Sequence, residues 1–133
     1  LHKYTITAWS DEDQITKITK QIEKKIDVVK AQYYRDDELY IRETGLYKLS
    51  TPEVMANPEI SRTVRRNDAF ITEVNPIYVI VMKSGRTEEI MALYDKLNAF
   101  GCILQYTRSG RIAVTRSTEE EVSRYLEERE KRA

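Results

Sequence analysis

The sequence is short of the residues on which many disulfide-rich and metal-binding proteins depend. Its 133 residues include one cysteine, one histidine and one tryptophan, with four glycines and three prolines. The single cysteine, Cys102, excludes an intrachain disulfide framework and fits a reducing compartment. Together with one histidine, it also excludes a zinc cluster of cysteines and histidines. We therefore expect a cytoplasmic protein without a structural metal.

Long apolar runs and an excess of one charge are missing too. The longest apolar run, Ile77–Met82, is far too short to cross a bilayer, and no signal peptide is visible. Lysine plus arginine and aspartate plus glutamate both count 22, so the formal net charge is zero. Because phosphate contacts need a positive excess, this balance argues against nucleic-acid and acidic-membrane partners.

The start of the chain predicts a strand, a helix and a second strand. Lys3–Trp9 alternates apolar and polar residues with the period of a half-buried strand. A helix is expected to follow, with Ser10 as its N-cap and Asp13 in the capping-box position. Segment 27–34 is predicted to be the second strand. The apolar stripe of the helix consists of Ile15, Ile18, Ile22 and Ile26.

The polar string RDDE, residues 35–38, is the predicted linker to a second block of elements. That block has the order β-α-β-β-α-β, followed by one strand and a terminal helix from Ser117, which is the order of ferredoxin-like folds. Gly45 indicates a bulge in its first strand, and Ser109–Gly110 a turn between its last two strands. The strand at Ile77 is apolar on both faces, as a covered central strand would be. The predicted fold class is α+β: a β-α-β half domain over 1–35 and a complete ferredoxin-like C-terminal domain over 36–133.

Few residues suggest catalysis. Cys102 would need a nearby base to act as a nucleophile, and the only histidine is His2, so a buried core position is the favoured interpretation. Arg62, Arg65 and Arg66 are interpreted as a solvated helix face rather than a phosphate site. No Walker loop, dinucleotide fingerprint, nucleophile elbow or zinc pattern is present. We therefore expect a binding or regulatory protein with no catalytic residues and no metal site.

Four long strings carry a resemblance to a known family. The first, KITKQIEKKIDVVKA, is similar to the second half of an ACT domain. The others are ELYIRETGLYKL, DAFITEVNPIYVIV and LQYTRSGRIAVTRS. In this order they resemble the regulatory (small) subunit of acetolactate synthase, also called acetohydroxyacid synthase. The resemblance covers nearly the whole chain and assigns the half domain at 1–35 to the ACT type.

The resemblance implies a non-catalytic dimer that binds and activates the thiamine-diphosphate-dependent catalytic (large) subunit. It also implies valine feedback inhibition in branched-chain amino-acid biosynthesis. Thiamine diphosphate, FAD and Mg²⁺ are expected on the catalytic subunit, with no cofactor in this chain. In the family, the effector-binding loop lies in a part that would precede Leu1. We therefore assign no residue to the effector and expect that the 133-residue chain itself does not bind valine.

A contact with the catalytic subunit and a contact between copies are both expected. Arginine is favoured at interfaces, and arginines flank the predicted Ser109–Gly110 turn, although an ordinary charged hairpin explains the segment equally well. Two strands rarely stand alone, so the half domain predicts a homodimer or a higher homo-oligomer. The candidate contact with the catalytic subunit consists of Arg108, Gly110, Arg111 and Arg116.

Two other functions stay open at this point. One is a fragment of an amino-acid-sensing transcription regulator with an ACT-like domain. It would be supported by a helix-turn-helix with a basic face, which the sequence does not show. The other is an enzyme on a ferredoxin-like fold, which would need an acid–base pair that converges in a cleft.

Overall fold

The computed structural model describes residues 3–25 and 31–118. They belong to two compact units, which are treated separately below. Unit 1 contains the described residues up to Ile41 and those from Ala113 onward, and unit 2 is Arg42–Ile112. Residues 119–133 of the predicted terminal helix and residues 27–30 of the predicted strand at 27–34 lie outside the described residues.

Unit 1 contains helix α1, Glu12–Glu23, and a short 3₁₀ helix, Asp36–Glu38, within the predicted linker. The N-cap of α1 is Asp11 and not Ser10, because the Asp11 carboxylate accepts a hydrogen bond from the backbone N–H of Gln14 at 2.8 Å. The capping-box prediction is therefore wrong by one residue. No described side chain of α1 is fully buried: among its stripe, Ile15 and Ile22 are half-buried and Ile18 is exposed.

The predicted strand at Lys3–Trp9 is not observed, since the structure assigns neither helix nor strand to residues 3–10. Residues 31–34 of the second predicted strand are likewise irregular. Alternation defines which face of a strand would be buried, but a strand also needs a neighbour and cover for that face. Tyr4 and Ile6 are 82% and 72% exposed, so this face is not covered within the described part of the chain.

Unit 2 is built on an antiparallel sheet with helices, which confirms the α+β class. Its strands are β1, Leu39–Ser50, which begins in unit 1; β2, Phe70–Val74; β3, Tyr78–Gly85; and β4, Ile103–Arg108. A fifth strand, β5, Ile112–Thr115, belongs to unit 1 after its first residue. The order in the sheet is β2-β3-β1-β4, and β5 also pairs with β1. The assignments of an ACT half domain and of a ferredoxin-like domain stay predictions. The helices of unit 2 are α2, Thr51–Ala56; α3, Pro58–Arg66; and α4, Thr87–Asn98.

The helix boundaries of unit 2 follow from local chemistry. Both α2 and α3 have proline in the first turn, where its missing N–H leaves no hydrogen bond unmade. Asn57 caps α3 through its side chain, which accepts from the backbone N–H of Glu59 at 3.0 Å. Ile60 and Val64, one turn apart on α3, are buried as predicted.

The core of unit 2 lies on one face of the sheet. Tyr47 pairs with Val81 and Leu49 with Val79, and all four side chains are buried against α3 and α4. The helices contribute Ile60, Val64, Ile90, Leu93 and Leu97, and Cys102 joins the same cluster.

The opposite, open face of the sheet bears a row of three apolar residues across neighbouring strands: Phe70, Met82 and Leu46. Phe70 is 65% exposed and Leu46 is 45% exposed. The apolar character of the strand at Ile77 reflects a central position between β2 and β1. Among the described residues, α3 and α4 cover one face of this strand, while Tyr78, Ile80 and Met82 on the other face are half-buried, so the expectation of full cover on both faces is not met there.

Gly45 does not produce a bulge, because β1 runs through it and pairs regularly with β3. The irregular register lies instead between Lys48 and Leu49, in the pairing with β4. A Cβ at position 45 would come within 2.6 Å of Cγ2 of Ile90. Glycine is thus explained by the close approach of α4 to the strand and not by a break in it.

Ser109–Gly110 is not the predicted hairpin turn either. The Ser109 backbone N–H donates to the Thr44 carbonyl at 2.8 Å, and β4 and β5 both pair with β1. Gly110 has a φ of 81°, a conformation that side chains disfavour. The segment therefore interrupts the pairing along one strand instead of reversing the chain.

Candidate partner-binding cleft

Unit 2 has a cleft of about 290 Å³ between α4 and β4, called here the α4–β4 cleft. Residues three and four apart on a helix lie on the same side, which brings Met91, Tyr94 and Asp95 together. Alternate residues of a strand share a face, so Tyr106 and Arg108 lie on the same face of β4. Its lining consists of Met91, Tyr94, Asp95, Tyr106 and Arg108.

Aromatic rings form the floor of the cleft and are held in place from below. The Tyr106 ring stacks on the Tyr47 ring with centroids 5.1 Å apart, and it contacts the Tyr94 ring at 4.5 Å. Tyr47 is fully buried, and its hydroxyl donates to the Ile90 carbonyl on α4. Tyr47 of β1 therefore contacts both walls of the cleft, through the Tyr106 ring on β4 and the backbone of α4.

The Tyr106 hydroxyl oxygen is buried and has no hydrogen-bond partner within the part of the chain that the structure describes. Burial raises the pKa of Tyr106; Glu43 and Asp95 add to this rise, while Arg108 opposes it. The hydroxyl is therefore neutral around pH 7, with a donor and an acceptor that both lack partners. Leaving such a group unpaired costs about 1–3 kcal/mol.

Arg108 already has a partner inside the fold. Its Nε lies 3.5 Å from Oε1 of Glu43, whose side chain is only 2% exposed, whereas that of Arg108 is 39% exposed. The second carboxylate oxygen of Glu43 accepts a hydrogen bond from the Thr87 hydroxyl at the start of α4. A buried carboxylate needs a compensating cation, so the charge of Arg108 is largely neutralised by Glu43.

Asp95 supplies the remaining charge of the cleft. Its carboxylate is exposed on α4, and it takes part in no side-chain hydrogen bond or ion pair among the described residues. Counted together with the buried Glu43 behind Arg108, the cleft has two carboxylates and one cation and is therefore negative. The α4–β4 cleft thus combines aromatic faces, a buried hydroxyl and one unpaired carboxylate.

Only one of the four predicted contact residues lines this cleft, namely Arg108. Gly110 and the half-buried Arg111 lie in the interruption between β4 and β5. Arg116 belongs to unit 1, where its Nε donates to the Leu39 carbonyl at 3.0 Å and its guanidinium lies over the Tyr40 ring. A contact role for these residues stays a prediction.

Sequence reasoning missed Met91, Asp95 and Tyr106 as site residues. The available signal was weak: an exposed acid one helical turn after a methionine, and a tyrosine two residues before an arginine. These spacings place each pair on one face, but they do not show that the helix and the strand face each other.

Other predicted groups have structural explanations. Cys102 is buried as predicted, and burial raises the pKa of its thiol. Arg62 and Arg66 pair with Glu59 on the solvated face of α3. Within residues 3–25 and 31–118, no three histidine, cysteine, aspartate or glutamate side chains are grouped as a metal site would require. None of the helices described there is both long enough and apolar enough to span a membrane.

The chain is similar to known proteins over most of its length. The family model described as "Small subunit of acetolactate synthase" matches residues 42–117. The acetolactate synthase small subunits of Aquifex aeolicus and Bacillus subtilis are 28% and 29% identical to it over 116 and 113 residues, which are 87% and 84% of this chain. The chain spans only 60% and 64% of the length of these two relatives.

A third relative and a solved structure agree with this assignment. The probable acetolactate synthase small subunit of Methanothermobacter thermautotrophicus is 30% identical over 116 residues, which are 87% of this chain and 68% of that protein. The crystal structure of the small subunit from Thermotoga maritima has the same fold, with a TM-score of 0.71 at 24% identity over 84% of this chain and 68% of that one. The chain belongs to the family of acetolactate synthase small subunits.

Proposed function

We propose that the chain acts in the regulatory subunit of acetolactate synthase, where it binds the catalytic subunit and raises its activity without catalysing the reaction itself. The observation that carries the proposal is the family match over 42–117, which includes all of unit 2. The two alternatives, a transcription-regulator fragment and an enzyme on a similar fold, are disfavoured by this membership.

A non-catalytic role is supported by the chemistry of unit 2. Its cysteine is enclosed in the core, and the raised pKa of the thiol keeps it protonated and unreactive. The α4–β4 cleft offers a carboxylate and a tyrosine hydroxyl, but no nucleophile with a base beside it among its lining residues. Thiamine diphosphate, FAD and Mg²⁺ are accordingly assigned to the catalytic subunit in this proposal.

Self-association belongs to the same proposal. The open-face row of Phe70, Met82 and Leu46 is apolar and partly exposed, and such rows are often covered by another chain. A homodimer or higher homo-oligomer would provide that cover. A cytoplasmic location without nucleic-acid or membrane partners is also proposed, from the balanced charge of the sequence.

Valine feedback inhibition completes the proposal, since the family resemblance implies it. We assign none of the described residues to valine. The assay below therefore includes valine as a separate variable, so that activation and inhibition are measured independently.

The experiment compares acetolactate formation from pyruvate by the catalytic subunit with and without added chain, each in the absence and in the presence of valine. We expect activity to rise with the amount of chain and to level off at a fixed molar ratio, because a specific complex saturates. The chain alone should form no acetolactate. An activity that does not change over the whole titration would contradict activation, and turnover by the purified chain would contradict the non-catalytic role.

A further inference from the structure

We propose that the α4–β4 cleft receives a cationic side chain, arginine or lysine, presented by the catalytic subunit. This inference rests on the proposed function and adds to it the surface of contact and the chemistry of the partner group. Four features of unit 2 carry it: the charge of the lining, its aromatic floor, the unpartnered hydroxyl and the size of the cleft.

The charge of the lining selects a cation. Arg108 is the only cation among the lining residues, and it compensates the buried Glu43 carboxylate. An anionic ligand would meet the exposed Asp95 carboxylate and would compete with the buried Glu43 carboxylate for the charge of Arg108, which is unfavourable. Asp95 has no ion-pair partner among the described residues, and its carboxylate is exposed at the cleft. A cation therefore adds an ion pair without breaking one.

The aromatic floor favours the same occupant. The faces of aromatic rings attract cations, and arginine stacks on them while it donates hydrogen bonds at its edge. The ring centroids of Tyr94 and Tyr106 lie 4.5 Å apart, and stacking on Tyr47 fixes the Tyr106 ring before any partner binds. Binding would thus order few groups of this chain, which keeps its entropic cost low.

The Tyr106 hydroxyl, which lacks a hydrogen-bond partner, is a further reason to expect an occupant in the cleft. Its oxygen is buried without a partner in the described structure, although it can accept a hydrogen bond. A guanidinium or ammonium group carries donors only, so it would pair with the exposed Asp95 carboxylate. The Tyr106 hydroxyl oxygen has almost no accessible surface, and a small shift of the surrounding side chains would bring it within reach of the same group. A volume of about 290 Å³ suits a single side chain better than an extended ligand.

The test measures the affinity of the whole chain for the catalytic subunit after Asp95→Asn. Loss of a partly desolvated ion pair should weaken binding roughly tenfold, with a smaller loss at high salt. Asp68→Asn is the matched control, because it makes the same charge change at an exposed residue outside the cleft. Asp68 has a φ of 54°, a conformation that asparagine tolerates.

A second variant separates binding from folding. Tyr106→Phe removes the hydroxyl that has no partner, so the free energy of unfolding should not fall, while binding should weaken by roughly threefold to tenfold. A purely structural role of the hydroxyl predicts the reverse pattern.

The outcomes distinguish the two proposals. If the unmodified chain does not bind the catalytic subunit, the proposed function fails and this inference fails with it. If the unmodified chain binds and Asp95→Asn binds equally well, only the inference is overturned. If Asp95→Asn instead weakens association between copies of this chain, the occupant is a second copy and the inference is again overturned.

Discussion

Gly45→Ala tests how closely α4 is packed onto strand β1. The new Cβ would lie 2.6 Å from Cγ2 of Ile90 and 3.2 Å from the Tyr47 hydroxyl, both of which are buried. Overpacking of this kind costs about 1–3 kcal/mol. Moving Ile90 also disturbs the hydrogen bond from Tyr47 to the Ile90 carbonyl, worth about 1 kcal/mol. Reduced flexibility of the unfolded chain returns about 0.5–1 kcal/mol, so we expect a net loss of about 1–3 kcal/mol.

Gly85→Ala is the matched control, because Gly85 is also in a strand of the same sheet. Its new Cβ would lie 2.7 Å from Oε2 of Glu89, the end of a half-exposed and flexible side chain that can move away. We expect the free energy of unfolding of this variant to change by less than about 0.5 kcal/mol. Denaturant unfolding of the whole chain measures both effects. Equal losses in the two variants, or a gain for Gly45→Ala, would refute the proposed packing.

Three further predictions concern buried polar groups. Arg108→Ala leaves the Glu43 carboxylate buried without its cation and should lower the free energy of unfolding by about 1–3 kcal/mol. This is less than for a fully buried pair, because Arg108 is partly exposed. Adding Glu43→Gln should recover part of the loss in denaturant unfolding, and no recovery would argue against the pair. Burial raises the pKa of Tyr47 above its usual 10.0, so the folded state binds the phenolic proton more strongly than the unfolded state does. The resulting contribution to stability is complete below pH 10 and declines as the pH rises further. A melting temperature that stays constant above pH 10 would contradict this. A thiol reagent should modify Cys102 no faster than the chain unfolds, whereas immediate labelling of the folded chain would show that the residue is accessible.

The fold of unit 2 was largely predictable because its periodic patterns are supported by the structure around them. The spacing of Ile60 and Val64 indicated the buried side of α3, and both residues are in the core. The same reasoning failed at Lys3–Trp9, where alternation alone does not supply the neighbouring strand that an extended segment needs. Local patterns are therefore informative only where tertiary packing completes them.

The two errors at glycines have a common physical cause. Gly45 and Gly110 both suggested a break in a strand from sequence alone. In the structure, Gly45 leaves room for Ile90 on α4, which lies 45 residues later in the chain. Gly110 permits a positive φ between β4 and β5, which both pair with β1. A glycine signals that something unusual is required of the backbone, but only the tertiary structure shows what it is.

The candidate site was only partly visible in the sequence. Arg108 was identified because it flanks the predicted Ser109–Gly110 turn. Its partner Glu43 is 65 residues away, and no local pattern in the sequence joins the two. Asp95 was missed because an exposed acid on a helix is ordinary by itself. It gains significance only from the aromatic rings and the neutralised arginine that the fold places beside it.

Sedimentation velocity of the catalytic subunit mixed with increasing amounts of this chain tests the central claim most directly. The account predicts a faster-sedimenting complex that contains both chains, grows to a fixed stoichiometry and is weakened by Asp95→Asn but not by Asp68→Asn. Separate sedimentation of the two proteins at every ratio would contradict the claim that this chain binds the catalytic subunit.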